Sequence, residues 1–465
     1  MLRKPKCEDQ RVFEVSGIKR SYLQSISKWR RVKAGSSGSS KKDLNVTGSR
    51  SLFRHFDFLK FWSAETFSVF GVQFSGLAIP WLAATTLKAD PLEMGVLGAL
   101  GTLPFLLFGL LVGVYADRNR RRPIMIVSDI GRALSLATIP ISALLFGPSL
   151  ILLYAASFSV GTLTVFDDVS SYAYLPGLVE RDQLVEANSR IATSQASAQV
   201  AGPSLAGILI QILTAPITIL VDVFGYAGSA SFLSWIRKKE PQPKRTEGKS
   251  VTKDLKEGLA VVFGNNYLWS IAGSTGTSNF FSSVISALFI LFATKDLRLS
   301  SPELGLIFAL GSVGALVGSL LAIRIAKRIG VGRAIVASIF IAGMSWIAVS
   351  VADIPLAVPL LILATFLASL GAVIYNVNQI SFRQAIVPLE IQGRLNATMR
   401  FLVWGTIPIG SLVGGVLGTV LGLRTAIGIA AVGGALAFLW VLFSPVRRVT
   451  EIPRQSDKMA EKQGP

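Results

Sequence analysis

Polar and apolar positions along this chain fall into blocks much longer than the helix or strand periods of a water-soluble protein. From about residue 58 onward, short polar turns separate mostly apolar runs. Each run is long enough for a membrane-crossing helix, which needs roughly 20 such residues. The pattern predicts twelve spans, at about 58–87, 92–116, 124–147, 149–175, 189–213, 215–236, 267–294, 301–326, 332–353, 355–382, 395–421 and 423–444. Turns such as Gly147-Pro148-Ser149 and Thr214-Ala215-Pro216 join neighbouring helices tightly.

Charge orients these spans, because Lys and Arg stay on the cytoplasmic side. With the N-terminus inside, 41 basic residues fall on the cytoplasmic side. Only Lys88, Lys295, Arg298 and Arg424 fall on the other, and Arg132 lies within a span. Both termini are therefore expected in the cytoplasm. The net charge of +19 comes in bursts between apolar segments, which points to a lipid bilayer and not to nucleic acid. Apolar residues make up 51% and charged ones 16%, against about 25% charged in ordinary soluble chains.

The chain has one cysteine, Cys7, and one histidine, His55. Disulfides, histidine triads and multi-histidine metal sites are thereby excluded, so neither a cofactor nor a metal is expected and a membrane enzyme is disfavoured. No apolar segment precedes residue 51, so no cleaved secretory signal is expected.

The expected organisation is a basic tail over 1–57, a six-helix bundle over 58–236, a polar linker over 237–266, a second bundle over 267–445 and a tail over 446–465. In the first tail, Ile18, Tyr22, Ile26 and Trp29 alternate with basic residues, as in an amphipathic helix on anionic lipid. The Ser/Gly run at 35–40 favours disorder instead. The two bundles repeat: Asn188 and Asn396, Gly202 and Gly410, and Gly207 and Gly415 are each 208 residues apart. Arg122-Pro123-Ile124 is echoed 211 residues later by Arg333-Ala334-Ile335. Duplicated six-helix halves suit a transporter with its path between them, although duplication also builds channels and structural proteins.

The turn between the second and third spans reads Gly113-Val-Tyr-Ala-Asp-Arg-Asn-Arg-Arg-Arg-Pro123. Its arginines anchor topology. Gly113, Asp117, Arg118, Arg121 and Arg122 also resemble motif A of the major facilitator superfamily, with Arg120 where that family usually has glycine. Residues 166–190, 201–207 and 376–405 resemble the transmembrane secretion effector branch, which includes enterobactin exporters and macrolide efflux proteins; the likeness covers about 52–445.

The resemblance implies an all-α integral membrane fold of twelve helices in two pseudo-symmetric bundles, a monomer in the bacterial inner membrane. It implies export of a small organic molecule, drug-, macrolide- or siderophore-like, by alternating access, with the motif A turn as a conformational latch. Gly202, Pro203, Ala206 and Gly207 resemble the antiporter motif of exporters, with Ala206 replacing a glycine; helix packing with no bearing on direction is the alternative. The arginine such exporters carry early in the fourth span is missing from 149–161, which bears on coupling to protons. An importer of the same fold and a non-transporting receptor or scaffold are the alternatives.

Ionisable groups within spans are costly and so are functional candidates. Glu65, Asp129, Arg132 and Asp168 fall in the cytoplasmic third, which suits gating or proton carriage better than a midplane substrate site. Asp129 and Arg132, three apart, share a helical face and can pair. Asp222 reads as structural. Asn376, Gln379 and Arg383 form one stripe on the tenth span, facing the cavity or the opposing half. Gln73, Trp81 and Trp404 are candidates for touching an amphipathic ligand, or for packing.

Overall fold

The computed structural model describes residues 52, 55–180, 182–238, 240, 251–387 and 389–451; the readings made for the tail up to residue 51 lie outside these. Among the described residues the fold is all-helical, with twelve helices long and apolar enough to cross a membrane. The first six are Phe56–Thr85, Pro91–Arg118, Arg121–Leu145, Leu150–Leu178, Leu184–Leu213 and Ala215–Ser234. The second six are Asn266–Lys295, Ser301–Ile329, Val331–Ser350, Ile354–Ile386, Ile391–Leu421 and Leu423–Leu442.

Three features depart from the expectation. The linker contains a helix, Val251–Phe263, held to the eleventh span by Arg394 Nη1 and Glu257 Oε2 at 2.6 Å. The fifth helix starts at Leu184 and not near 189. Hydropathy marks only its apolar part, while a Glu186–Arg190 ion pair at 2.6 Å supports the polar first turns. The eleventh span is interrupted at Gly405, between helices ending at Trp404 and resuming at Thr406.

The internal repeat reaches into turn geometry. Asp90 caps the second span: its carboxylate accepts from the Glu93 amide at 2.8 Å, and Glu93 accepts from the Asp90 amide at 2.8 Å. Ser300 and Glu303 form the same reciprocal cap at the eighth span, 210 residues later. Two residues before these caps, Lys88 and Arg298 both take positive φ, 52° and 54°. Further on, Thr214 (φ 79°) matches Gly422 (φ 83°). A non-glycine residue in this region is strained by about 1–3 kcal/mol, so the turn is imposed by the helices it joins.

The two bundles meet unequally. At the end carrying residues 82–97 and 284–304, one continuous core joins them, with Leu82, Leu97, Ile210, Leu288, Leu304 and Ile427 all buried. Hydrogen bonds cross there from Lys295 Nζ to the Ala89 carbonyl (3.2 Å) and from Ser204 Oγ to the Gly305 carbonyl (3.4 Å). At the opposite end the cores are separate. One surrounds Phe58, Tyr174 and Leu233; another surrounds Ile335, Phe382 and Val441.

Glycines make the joined end possible. Gly207 of the fifth span lies directly under the Ser301 carbonyl and Pro302 of the eighth, where a Cβ would overlap the backbone. Returning the contact, a Cβ on Gly305 would sit 2.5 Å from the Pro203 carbonyl oxygen. The repeat-related crossing pairs the second and eleventh spans: a Cβ on Gly95 would lie 2.7 Å from Gly415 Cα, and one on Gly415 3.0 Å from Leu92 Cα. Without a hydrophobic drive between helices in lipid, such close approach is what holds them together.

Gly207→Leu should therefore cost the joined state about 1–3 kcal/mol through overpacking. With spin labels at Thr86→Cys and Asp296→Cys in a Cys7→Ser background, Gly207→Leu is expected to shift the label distances to longer values. Gly76→Ala, where a Cβ meets nothing within 4 Å, should leave them unchanged.

Candidate functional site

A buried charge network sits in the first bundle, at the end where the cores separate. Helical spacing puts Asp129 and Arg132 on one face of the third span. Arg132 Nη2 donates to Asp129 Oδ1 at 2.5 Å and lies 2.8 Å from Asp167 Oδ2 of the fourth span. Its guanidinium covers the Tyr226 ring, 4.2 Å from the centroid. Arg132 is 3% exposed, Asp129 1% and Asp167 9%. The fourth-span partner is thus Asp167 and not Asp168. Adjacent helical residues point about 100° apart, so only one of the two acids can turn into the network.

Asp168 instead lines an adjoining cavity of about 300 Å³, together with Glu65, Asp167, Ser171, Tyr172 and Tyr226. Ser171 Oγ donates to Glu65 Oε1 at 2.6 Å. That volume is at the small end of ligand pockets. Four carboxylates (Glu65, Asp129, Asp167 and Asp168) cluster about the single guanidinium of Arg132. A low-dielectric site cannot hold so many unpaired negative charges, so protons or a cationic group must balance the excess, or water must enter to solvate it.

Asp222 is fully buried and accepts a short hydrogen bond from Ser75 Oγ of the first span. Beside it Gly71 and Gly225 bring the first and sixth spans into close contact; a Cβ on Gly71 would lie 2.7 Å from Asp222 Oδ1. Its position is one of packing between helices.

The motif A turn is divided. The Arg121 and Arg122 amides donate to Glu240 Oε2 at 2.8 and 3.2 Å. The Arg122 side chain donates to the Leu233 and Ser234 carbonyls, so Arg122 is tied to the sixth span of its own bundle and Arg121 to Glu240, which follows that span. Asp117 and Arg118 are exposed at the separated end. A Cβ at Gly113 would meet nothing within 4 Å.

In the fifth span the antiporter-like motif divides its contacts between the bundles. A Cβ on Gly202 would lie 2.5 Å from the Gln73 Cβ of the first span, so Gln73 packs its stem there. Ala206 is fully buried in the joined core, and Gly207 makes the crossing to the eighth span.

The ligand candidates scatter. Trp81 packs against the joined core. Trp404 meets Phe105 of the other bundle edge-on, with centroids 5.2 Å apart, and Arg400 stacks on it at 4.4 Å. On the tenth span, Gln379 is buried and donates to Asn376 Oδ1 at 3.4 Å, while Arg383 donates to Asn396 Oδ1 at 3.1 Å. The stripe therefore bonds largely within its own bundle. Sequence reasoning missed Asp167, because an Asp-Asp pair gives no sign of which carboxylate turns inward. It also missed the two reciprocal caps, whose acid-three-residues-on signature was there to be read.

Comparison with known proteins places this geometry. The family described as transmembrane secretion effector matches residues 47–463. The chain is 25% identical over 357 residues to the multidrug efflux pump Tap of Mycolicibacterium fortuitum, covering 75% of this chain and 86% of that one. It is 26% identical over 293 residues to macrolide efflux protein A of Streptococcus pyogenes, covering 62% and 71%. In fold it resembles the crystal structure of a bacterial homologue of the iron transporter ferroportin in an inward-facing state. The TM-score is 0.68 at 15% identity, over 84% of this chain and 99% of that one. Twelve apolar helices in two bundles, a charge cluster within the first and a family match over nearly the whole length lead to one assignment. The chain belongs to the transmembrane secretion effector family of the major facilitator superfamily and is a multi-pass transporter of the plasma membrane.

Proposed function

We propose that this transporter exports a small amphipathic organic molecule from the cytoplasm by alternating access, exchanging it for protons. The observation that carries the reading is the unequal packing of the two bundle ends. Glycine crossings and a shared core close one end, while separate cores leave the other end open beside the charge network. The bias of 41 basic residues supports a cytoplasmic position for the open end and both termini. The efflux names of the two relatives support the outward direction.

Closing the open end must bring Asp117 and Arg118 against the second bundle, where charged side chains can bond to helix ends. Gly113 leaves space for that approach. Arg400 of the second bundle stacks on Trp404, which meets Phe105 of the first, so closure also moves a cation towards the cavity's acids. The excess carboxylates, with Glu65, Asp129 and Asp168 as the exchanging groups, can be balanced by protons or by a cationic substrate. The two compete for the same charge, and that competition is what antiport requires. Gln73, Asn376, Gln379, Arg383 and Trp404 flank the path as polar and aromatic contacts.

Cells expressing the intact protein should retain less of a transported compound than cells expressing Asp117→Asn at equal membrane level. Accumulation by the intact protein would reverse the direction. Combined Glu65→Gln, Asp129→Asn and Asp168→Asn should abolish stimulation by an inward proton gradient in vesicles; transport that keeps its full response would rule out these groups as carriers. Arg132→Ala, which strands the network's carboxylates, should lose about 3–5 kcal/mol of stability, seen as a lower unfolding midpoint in detergent. Asp167→Asn, which keeps a hydrogen-bond acceptor, should lose less.

A further inference from the structure

Outside the transport path, an open groove of about 530 Å³ runs between the ninth and twelfth spans. It lies at the membrane end where the chain enters the first span. Arg333, Arg447 and Arg448 form its rim, and Phe340, Phe438 and Leu442 form its apolar floor. The rim is built rather than incidental. After the twelfth span the chain turns back, and the Val331 and Gly332 amides donate to the Thr450 and Val449 carbonyls at 3.2 and 2.8 Å. Gly332 permits this by lying directly under the Val446 carbonyl, where a Cβ could not fit. Ser444 Oγ caps the Val446 amide at 3.2 Å. Two arginines from the chain's far end are thereby fixed beside a third at the start of the ninth span.

All three arginines are exposed, and among the described residues none makes an ion pair, side-chain hydrogen bond or ring stack. Below them Phe340, 40% exposed, meets Phe438 at a centroid distance of 4.9 Å, and both face along the groove. Three unpaired guanidiniums at the ends of two spans, above an apolar groove that runs along those spans, match the two ends of one ligand type. We infer that this groove is a binding site for an anionic phospholipid, with its phosphate on the arginine rim and an acyl chain on the phenylalanine floor. Guanidinium forks suit phosphate oxygens, and basic clefts between spans are where anionic head groups bind.

The test is native mass spectrometry of the full chain in detergent, titrated with phosphatidylglycerol or phosphatidylcholine of identical acyl chains. The intact protein should bind phosphatidylglycerol at least tenfold more tightly. Combined Arg333→Ala, Arg447→Ala and Arg448→Ala should erase that preference. Arg324→Ala, Lys327→Ala and Arg328→Ala, a charge-matched change elsewhere at the same membrane end, should keep it. Ala337→Phe, which fills the floor and leaves the rim intact, should weaken binding as well, and it decides the matter if the triple arginine variant does not fold. Equal binding of both lipids by the intact protein would overturn the site. So would equal losses in the two triple variants, or displacement of phosphatidylglycerol by an equal concentration of glycerol 3-phosphate.

Discussion

Backbone meeting backbone at two helix crossings is the constraint on which the rest of this structure depends. Lipid offers helices no hydrophobic reason to associate, so the bundles must be joined by close packing. Gly207 under Ser301, and Gly95 against Gly415, bring the main chains together without side chains between them. Dispersion contacts of this kind are short-ranged and non-directional. They hold well when complete and part without leaving many broken hydrogen bonds behind, since few cross the interface. Joining the bundles at one end separates them at the other, and the cavity beside Arg132 lies on that separated side.

Around this symmetric frame the chemistry is lopsided. At the repeat spacing of 211, Arg132 corresponds to Gly343, where a Cβ would lie 2.5 Å from Ala435 Cα. At the spacing of 208, Asp222 corresponds to Ala430, which is fully buried. The second bundle fills those places with small apolar residues and bonds its own polar groups internally, as Thr275 does with the Tyr375 hydroxyl at 2.7 Å. The first bundle holds the buried acid network, and the second has no counterpart to it at these two positions.

Most of the fold was legible in the sequence, because a hydrocarbon solvent turns span length and apolarity into a strong signal. The spans, their number and the glycines of the repeat could all be read directly. What could not be read depended on rotation or on tertiary partners. Whether Asp167 or Asp168 turns towards Arg132 is fixed by how the fourth helix is rotated against the third, and both acids look alike in a list of residues. Trp81 and Trp404 were equivalent as aromatic candidates, yet one is packed in the joined core and the other sits between the bundles. The linker helix was hidden for the opposite reason. It is polar enough to pass for a connector, and it docks through Val262, buried with Leu395 and Met399 of the eleventh span, with the Glu257–Arg394 pair beside them.

That docked helix has a mechanical consequence. The linker is fastened at both ends: Glu240 is tied to the arginines of the motif A turn in the first bundle, and Glu257 is tied to the second. From Glu240 to Val251, a polypeptide of that length spans on the order of 40 Å at most. The separation of Glu240 and Val251 cannot exceed what that length allows. The connector therefore sets an upper bound on how far apart the two bundle ends it joins can stand.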